Sequence, residues 1–354
     1  MSKFLSNRFS AIEPYTPGEQ PRDMKYVKLN TNESPFPPSK KVIKAVNSSE
    51  VLKLNLYPDP TGKELISKLA ATYGVGEENV FISNGSDEIL NFSFMAFCGK
   101  EKGVCFPEIS YGFYEVYAKL YGLDYKKIPL CDDFSINPEN YYSSGKTVVI
   151  ANPNAPTGLT LSAAEIEEIL KTNSDSVVII DEAYVDFGAE SCVQLTKQYE
   201  NLIVVMTYSK SRSLAGGRLG FAIANKNLIA DLNTIKYSTN PYNINRLTMA
   251  AGIASLDSAD YYKKCNQNII EVREYTKTEL EKRGFVLTDS KANFLFAKHP
   301  KIGGEEYYLA LKSKGVLVRH FGSEIIKDYV RITVGTKSQM DLLLKTTDQI
   351  LREV

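Results

Sequence analysis

Several short runs of this chain are apolar or β-branched nearly throughout: Val80 to Ser83, Gly103 to Phe106, Thr147 to Ala151, Val177 to Ile180 and Ile203 to Met206. A strand with one wet face alternates apolar and polar residues, whereas a strand without a polar face must be covered on both sides. Between some of these runs lie stretches of helical periodicity, from Asn84 to about Phe97, near 111–121 and near 162–172. Fully apolar strands alternating with helices predict a largely parallel sheet with helices packed on each face, an α/β fold. Ligands of such sheets sit beyond the carboxyl ends of the strands. Gly85, Asn152, Asp181 and Lys210 each follow such an end, so the pattern by itself draws them towards one site.

The flanking regions differ in texture. Residues 1–38 carry Pro14, Pro17, Pro21, Pro35, Pro37 and Pro38 and read as an extended arm. Ser39 is placed to cap a helix running to Val46, Tyr57 to Gly62 forms a turn-rich loop, and Lys63 to Tyr73 has helical periodicity. Past Pro241-Tyr242-Asn243 the texture changes to long helices at 246–256 and 260–283. Candidate strands follow at 285–287, 293–296 and 330–334, with a last helix from Lys337 to about Arg352. The expected organisation is an arm (1–38), a large unit (39–242) and a smaller α+β unit (243–354).

Composition excludes several classes of function. The 42 basic and 42 acidic residues balance, which gives no reason to expect nucleic acid or an anionic membrane as partner. Cys98, Cys105, Cys131, Cys192 and Cys265 are odd in number, scattered and without a C-x-x-C pair, so reduced thiols fit better than disulfides or a zinc cluster. Residues 1–15 lack the apolar core of a secretory signal, and no apolar run is long enough to span a bilayer. A soluble cytoplasmic protein without a metal centre is the expectation.

The chemistry gathers around Thr207-Tyr208-Ser209-Lys210, which ends the apolar run Leu202 to Met206, and around Arg218 eight residues beyond the lysine. An amine just past a buried strand, hydroxyls before it and a guanidinium after it suit a cofactor bearing an aldehyde and a phosphate. The amine condenses with the aldehyde while Thr207, Ser209 and Arg218 hold the phosphate. Gly85-Ser86-Asp87 opens a helix directly after a strand, where free amides and the positive dipole end make a phosphate seat, although Ser or Asp there also serves as a plain helix cap. Asp181, at the end of Val178-Ile179-Ile180, can pair with a protonated pyridine nitrogen and keep the ring able to accept electrons; the Asp181-Glu182 pair otherwise reads as metal-binding or as a solvated strand end. A nucleoside triphosphatase would also put acids here, but the chain has no G-x-x-x-x-G-K-[ST] loop.

Further candidates have two readings each. Tyr184 can donate to the ring's phenolic oxygen, and Asn154, in the double-proline loop from Ala151 to Gly158, can sit beside the same oxygen or belong to a turn without chemistry. Tyr111, at the start of a helix, can stack on the ring or fill the core. Arg319 and Arg331 lie in apolar strand-like segments, where a guanidinium is costly unless paired, so each faces a bound carboxylate or phosphate or else a structural salt bridge. His299 and His320 read as surface or satisfied core groups.

Taken together these segments resemble the fold-type I pyridoxal-phosphate aminotransferases, and within them the histidinol-phosphate aminotransferase family. The likeness runs over nearly the whole chain: P-Y-T-P-G at 14–18, K-L-N-T-N-E-S-P-F-P-P-S at 28–39, Y-P-D-P at 57–60 and N-G-S-D-E at 84–88. It continues through N-P-N-A-P-T-G at 152–158, D-E-A-Y at 181–184, S-K at 209–210 with Arg218, P-Y-N-I-N-R at 241–246, V-R-H-F at 318–321 and V-R-I-T-V-G-T at 330–336. The N-P-N-x-P-T-G, D-E-A-Y and S-K sets belong to the superfamily; P-Y-x-P-G, N-E-S-P and R-I-T-V-G-T point to the subfamily.

The resemblance implies a large αβα domain with a mostly parallel sheet, a smaller α+β domain, and pyridoxal 5′-phosphate as cofactor. It implies that Lys210 forms the Schiff base and shuttles a proton, that Asp181 meets the pyridine nitrogen, that Tyr184 and Asn154 meet the phenolic oxygen and that Tyr111 stacks on the ring. The phosphate falls to the backbone after Gly85 (Ser86 and Asp87) and to Thr207, Ser209 and Arg218, with Tyr57 reaching in from the second subunit of a homodimer. Tyr15, Asn32, Arg319 and Arg331 match substrate-binding positions. The implied reaction is transamination between histidinol phosphate and 2-oxoglutarate in histidine biosynthesis; aromatic amino acids as donors, or decarboxylation of threonine phosphate, use the same machinery. The chain departs from the family after Lys210, where Ser211-Arg212-Ser213 replaces small and aromatic residues, and at Gly217, where leucine is common.

Overall fold

The computed structural model describes residues 4–6, 9, 12–47, 49–99 and 101–353. Its centre is a seven-stranded sheet in the order Val80–Ser83, Gly220–Ala224, Leu202–Thr207, Val178–Asp181, Thr147–Ala151, Val104–Pro107 and Tyr125–Ile128. The last five run parallel to one another, and Gly220–Ala224 is antiparallel to both of its neighbours. Alternation along each strand divides the core. Ile180, Val204 and Ile150 pack on one face with Leu65, Leu69, Ile166 and Ile169, while Ile179, Val205 and Val149 pack on the other with Ile89, Phe92, Tyr114 and Leu232. Every residue of the strands Thr147–Ala151, Val178–Asp181 and Leu202–Thr207 is buried, which is why their sequences carry no polar face.

A second, four-stranded antiparallel sheet has the order Arg319–His320, Val330–Thr333, Phe294–Lys298, Val286–Leu287. It packs through Leu295, Ala297, Val330 and Ile332 against the helices Ala259–Lys282, Gly304–Ser313 and Lys337–Glu353. The arm is tied to this sheet's surroundings: Val27–Lys28 pairs in parallel with Val316–Leu317. Arg319 and the residues before it therefore do not share one strand. Val316–Leu317 bonds to the arm, and Arg319–His320 bonds to Val330–Thr333.

Helix starts follow their caps. The hydroxyl of Ser39 accepts from the Val42 amide, and Ser162 with Glu165 closes a capping box at the head of Ala163–Thr172. Three strands and two α-helices lie outside the elements expected from sequence. These are Val27–Lys28, in the arm read as extended chain, with Tyr125–Ile128, Gly220–Ala224, Lys226–Thr239 and Gly304–Ser313. Tyr111 is not at a helix start: the helix is Phe113–Tyr121, so the tyrosine belongs to the loop ahead of it. Among the described residues no helix is long and apolar enough to cross a membrane.

Candidate active site

Two clefts meet at Lys210. The first, of about 730 Å³, lies beyond the carboxyl ends of the central strands; its walls include Ser86, Asp87, Tyr111, Asp181, Tyr184, Thr207, Ser209 and Arg218, with Ala151, Ala155, Ala183 and Ala215 leaving the space open. The second, of about 880 Å³, shares Tyr111, Tyr184 and Lys210 and adds Tyr15, Asn32, Arg319, Phe321 and Arg331. The Lys210 ammonium donates to the Thr31 carbonyl at 3.3 Å and stands 5.8 Å from the centre of the Tyr184 ring.

One end of the first cleft gathers phosphate-type donors. The helix Gly85–Phe97 begins there with no side chain capping its first amides, and free amides at a helix start favour an anion. The approach of three segments at this point demands glycine. Gly85 has φ +79°, and a Cβ on it would come within 2.6 Å of the Arg218 guanidinium; a Cβ on Gly220 would meet the Ser86 nitrogen at 2.5 Å. Arg218 itself adopts φ 51°, an uncommon backbone for a non-glycine residue that turns its side chain back over the helix start. Its guanidinium donates to Asp87 at 2.9 Å and to the Ser209 hydroxyl at 3.4 Å, while the Tyr111 hydroxyl donates to the other Asp87 oxygen at 2.7 Å.

At the end of its strand Asp181 is almost fully buried. It accepts from the Tyr114 hydroxyl at 2.9 Å and from the Ala183 amide at 3.2 Å. Burial raises its carboxyl to about 6, and the two donors and the Lys210 charge hold it from rising further. The neighbouring Glu182 points elsewhere. It accepts from the Ser191 hydroxyl at 2.6 Å and the Cys192 amide at 2.7 Å, and burial raises it to about 7. The alternative metal-type reading of the Asp181-Glu182 pair therefore gives way to one acid in the cleft and one clamping a loop.

The second cleft is lined differently. Neither Arg319 nor Arg331 meets a carboxylate within salt-bridge distance among the described residues; Arg331 donates to the Asn30 carbonyl at 3.0 Å, and Arg319 reaches the Thr16 and Pro17 carbonyls at 3.3 and 3.4 Å. The Arg331 Nε is buried without a partner, and desolvation lowers the basicity of the group. Among the described residues neither arginine therefore serves a structural salt bridge. Asn32 is fixed at φ 54° by bonds to Thr333 and Asn293, and its amide donates to the Tyr184 hydroxyl at 3.0 Å. Tyr15 stacks on Phe113 with ring centres 4.3 Å apart.

Other expected positions lie outside both clefts. Asn152 closes on Leu161 through both of its side-chain atoms, so it serves the loop and does not enter the site. Asn154 donates to the Ile109 carbonyl and accepts from Ser110, beside the Ala155 that lines both clefts. Tyr57 is 78% exposed and stacks on Tyr242. His299 and His320 bond to the carbonyls of Arg283 and Lys327. Ser211, Arg212 and Ser213 line neither cleft. Ser211 donates to Asp186, Arg212 lies 5.2 Å from the Tyr208 ring centre, and Ser213 bonds Ser34 at 2.9 Å. Their difference from the family pattern thus falls behind the lysine, away from the space a substrate would occupy. Thr31 and Glu33, which do line the first cleft, lie in the 28–39 segment that carries the resemblance but are not among the site residues it implies.

The fold and this donor set are those of an amino-group transferase that works through an aldehyde cofactor. The chain belongs to the aminotransferase class I and II family, whose model matches residues 24–346, and it is a pyridoxal-phosphate-dependent transferase of fold-type I. It is 51% identical over 353 residues to a histidinol-phosphate aminotransferase of Brachyspira hyodysenteriae, covering 99% of this chain and 100% of that one. The solved histidinol-phosphate aminotransferase of Clostridium acetobutylicum superposes with a TM-score of 0.84 at 25% identity, covering 92% of this chain and 99% of that one. A Sinorhizobium meliloti histidinol-phosphate aminotransferase in complex with pyridoxal-5′-phosphate shares the fold, with a TM-score of 0.84 at 23% identity, over 93% and 92% of the two chains. The first cleft suits that cofactor chemically: an amine for its aldehyde, a buried carboxylate for its ring nitrogen, and hydroxyls, amides and a guanidinium for its phosphate.

Proposed function

We propose that this chain transfers the amino group of histidinol phosphate to 2-oxoglutarate. The observation that carries the reading is the second cleft, where two guanidinium groups without carboxylate partners open onto Lys210. Uncompensated cations beside a reactive amine call for an anionic substrate. A phosphate monoester meets that need in the first half of the exchange and the carboxylates of 2-oxoglutarate in the second. The full-length likeness to a histidinol-phosphate aminotransferase supports the choice of donor.

In this reading Ser86, Asp87, Thr207, Ser209 and Arg218 hold the cofactor phosphate, Asp181 receives the ring N–H, and Tyr184 sits by the phenolic oxygen. Asn154, bonded to Ile109, Thr157 and Ser110, would reach the same oxygen only by giving up its bond to Thr157. Bound in this way, pyridoxal phosphate supplies an aldehyde for the amine and a ring that accepts the electrons released at the substrate α-carbon. Tyr15, Asn32, Arg319 and Arg331 orient the substrate, and Tyr111 covers the ring face. Lys210, at the junction of the clefts, takes the proton from the α-carbon as a general base and returns it as a general acid.

The proposal includes a homodimer. The Tyr57 loop is held firmly: Arg246 donates to the Tyr57 carbonyl and Lys236 to the Pro60 carbonyl, each at 2.8 Å. Yet the Tyr57 side chain and those of Leu52, Leu54 and Leu56 stand in water. A fixed loop with an exposed apolar edge suits a second copy, into whose phosphate site Tyr57 would reach. The five cysteines are unpaired, which supports a reducing, cytoplasmic setting.

The test is a donor panel on cofactor-loaded protein with 2-oxoglutarate, comparing histidinol phosphate, phenylalanine and phosphothreonine. Glutamate should form fastest from histidinol phosphate. Preference for phenylalanine, or CO2 release from phosphothreonine, overturns the choice of substrate. Lys210→Ala should lower turnover by at least ~1000-fold and remove the borohydride-trappable adduct.

A further inference from the structure

We infer that Tyr114 is a positioning residue for the cofactor, holding Asp181 through its hydroxyl and Tyr111 through its ring. Tyr114 is completely buried in the helix Phe113–Tyr121, under the floor of the first cleft and lining neither space. Its hydroxyl donates to one oxygen of Asp181 at 2.9 Å, and the Ala183 amide takes the other at 3.2 Å. A carboxylate offers about four acceptor directions, so these two bonds fix its plane and leave the remaining lone pairs for the cleft. The same phenol ring meets the Tyr111 ring edge to face, with centres 5.7 Å apart at 85°, and backs onto Phe94 and Phe106. One rigid side chain therefore sets both the group that would meet the ring nitrogen and the group that would cover the ring face.

Burial and the adjacent carboxylate keep the Tyr114 hydroxyl protonated far beyond neutral pH, so it acts as a donor to Asp181 throughout the working range. Apart from Tyr114 and the Ala183 amide, the groups acting on the Asp181 charge are Asp87, which raises its pKa, and Lys210, which lowers it. Deleting the Tyr114 hydroxyl leaves a buried carboxylate short of a donor, which raises its pKa again. The carboxylate that should receive the ring N–H is then protonated up to a higher pH.

This inference rests on the reading of the first cleft as the pyridoxal phosphate site. The experiment is a binding titration of pyridoxal 5′-phosphate to cofactor-free wild type, Tyr114→Phe, and Tyr121→Phe, which loses a hydroxyl bonded to Asn91 from the same helix. Titrations run near pH 6, where Asp181 ionises, and about two units higher. Tyr114→Phe should bind at least ~10-fold more weakly near pH 6, with a smaller loss at the higher pH, while Tyr121→Phe follows wild type. In an Asp181→Asn background the Tyr114 substitution should add no further loss. A loss equal at both pH values, or one that adds fully to Asp181→Asn, assigns Tyr114 to general packing and overturns the inference; so does unchanged affinity. Should wild type itself fail to bind the cofactor, it is the assignment of the cleft that falls.

Discussion

The two clefts that share Lys210 are finished to different degrees. In the first, the charged groups set for the cofactor's phosphate and ring nitrogen already have side-chain partners within the chain: Arg218 lies on Asp87, Asp87 also accepts from Tyr111, and Asp181 accepts from Tyr114. In the second, Arg319 and Arg331 rest on backbone carbonyls and over the rings of Phe294 and Phe321 with no carboxylate, and one guanidinium nitrogen has no hydrogen-bond partner. The contrast teaches which ligand each expects. A seat whose groups hold one another in place is preorganised and spends little on ordering when a resident cofactor arrives. A seat with uncompensated cations is held at some cost until an anion comes, which suits a substrate that enters and leaves at every turnover. Arg331 is the sharpest probe of this difference. Arg331→Gln should raise the KM for a phosphate-bearing donor by roughly 100-fold, the usual scale for removing one partner of a desolvated charge pair. It should leave cofactor affinity unchanged and raise the melting temperature of the substrate-free protein slightly, since an unpaired cation has been removed. A fall in stability, measured by thermal unfolding, would show that the cation is satisfied without substrate.

Arg218→Gln sharpens the comparison from the other side, with a smaller expected effect. The guanidinium is nearly half exposed where it meets Asp87, so solvent screens the pair and only part of its attraction counts. Pyridoxal phosphate should bind about 10-fold more weakly, while the donor KM at saturating cofactor stays put. A change in donor KM of the same size as the change in cofactor affinity would mean that the two clefts are not separate in function.

How much of this is visible in the chain follows the same division. The central strands are legible because burial on both faces confines polar residues to their ends, and the cofactor residues are legible because they sit at or just past those ends. Tyr125–Ile128 is not, since it is an edge strand whose Lys126 and Lys127 face water. Nor is Gly220–Ala224, where a glycine and two alanines hide a strand of five residues; its antiparallel placement beside Lys210's strand brings Gly220 under the helix start at Gly85. In the second cleft the arginines are conspicuous in apolar surroundings. The backbone carbonyls they touch, those of Thr16, Pro17 and Asn30, leave no trace in side-chain identity. Tyr114 is hidden by number alone: one buried tyrosine among 22 is distinguished only by its partner.

The adjacent acids Asp181 and Glu182 carry the contrast into the pH dependence of stability, where the effect is smallest and turnover need not change. Both carboxyls are raised by burial, Asp181 from an ordinary 3.8 to about 6 and Glu182 from 4.5 to about 7. Between those ordinary and raised values the folded chain holds protons that the unfolded chain has released. The cofactor-free protein should therefore lose stability as pH rises through that window, up to about 7. Bound cofactor should shrink the part due to Asp181, because a ring N–H stabilises its charged form, and should leave the part due to Glu182, whose partners are Ser191 and Cys192. Glu182→Gln should flatten the remaining slope, moving the melting temperature by roughly a few degrees at the alkaline end without altering cofactor affinity. If the substitution weakens cofactor binding as much as it changes the slope, Glu182 belongs to the cofactor seat together with Asp181.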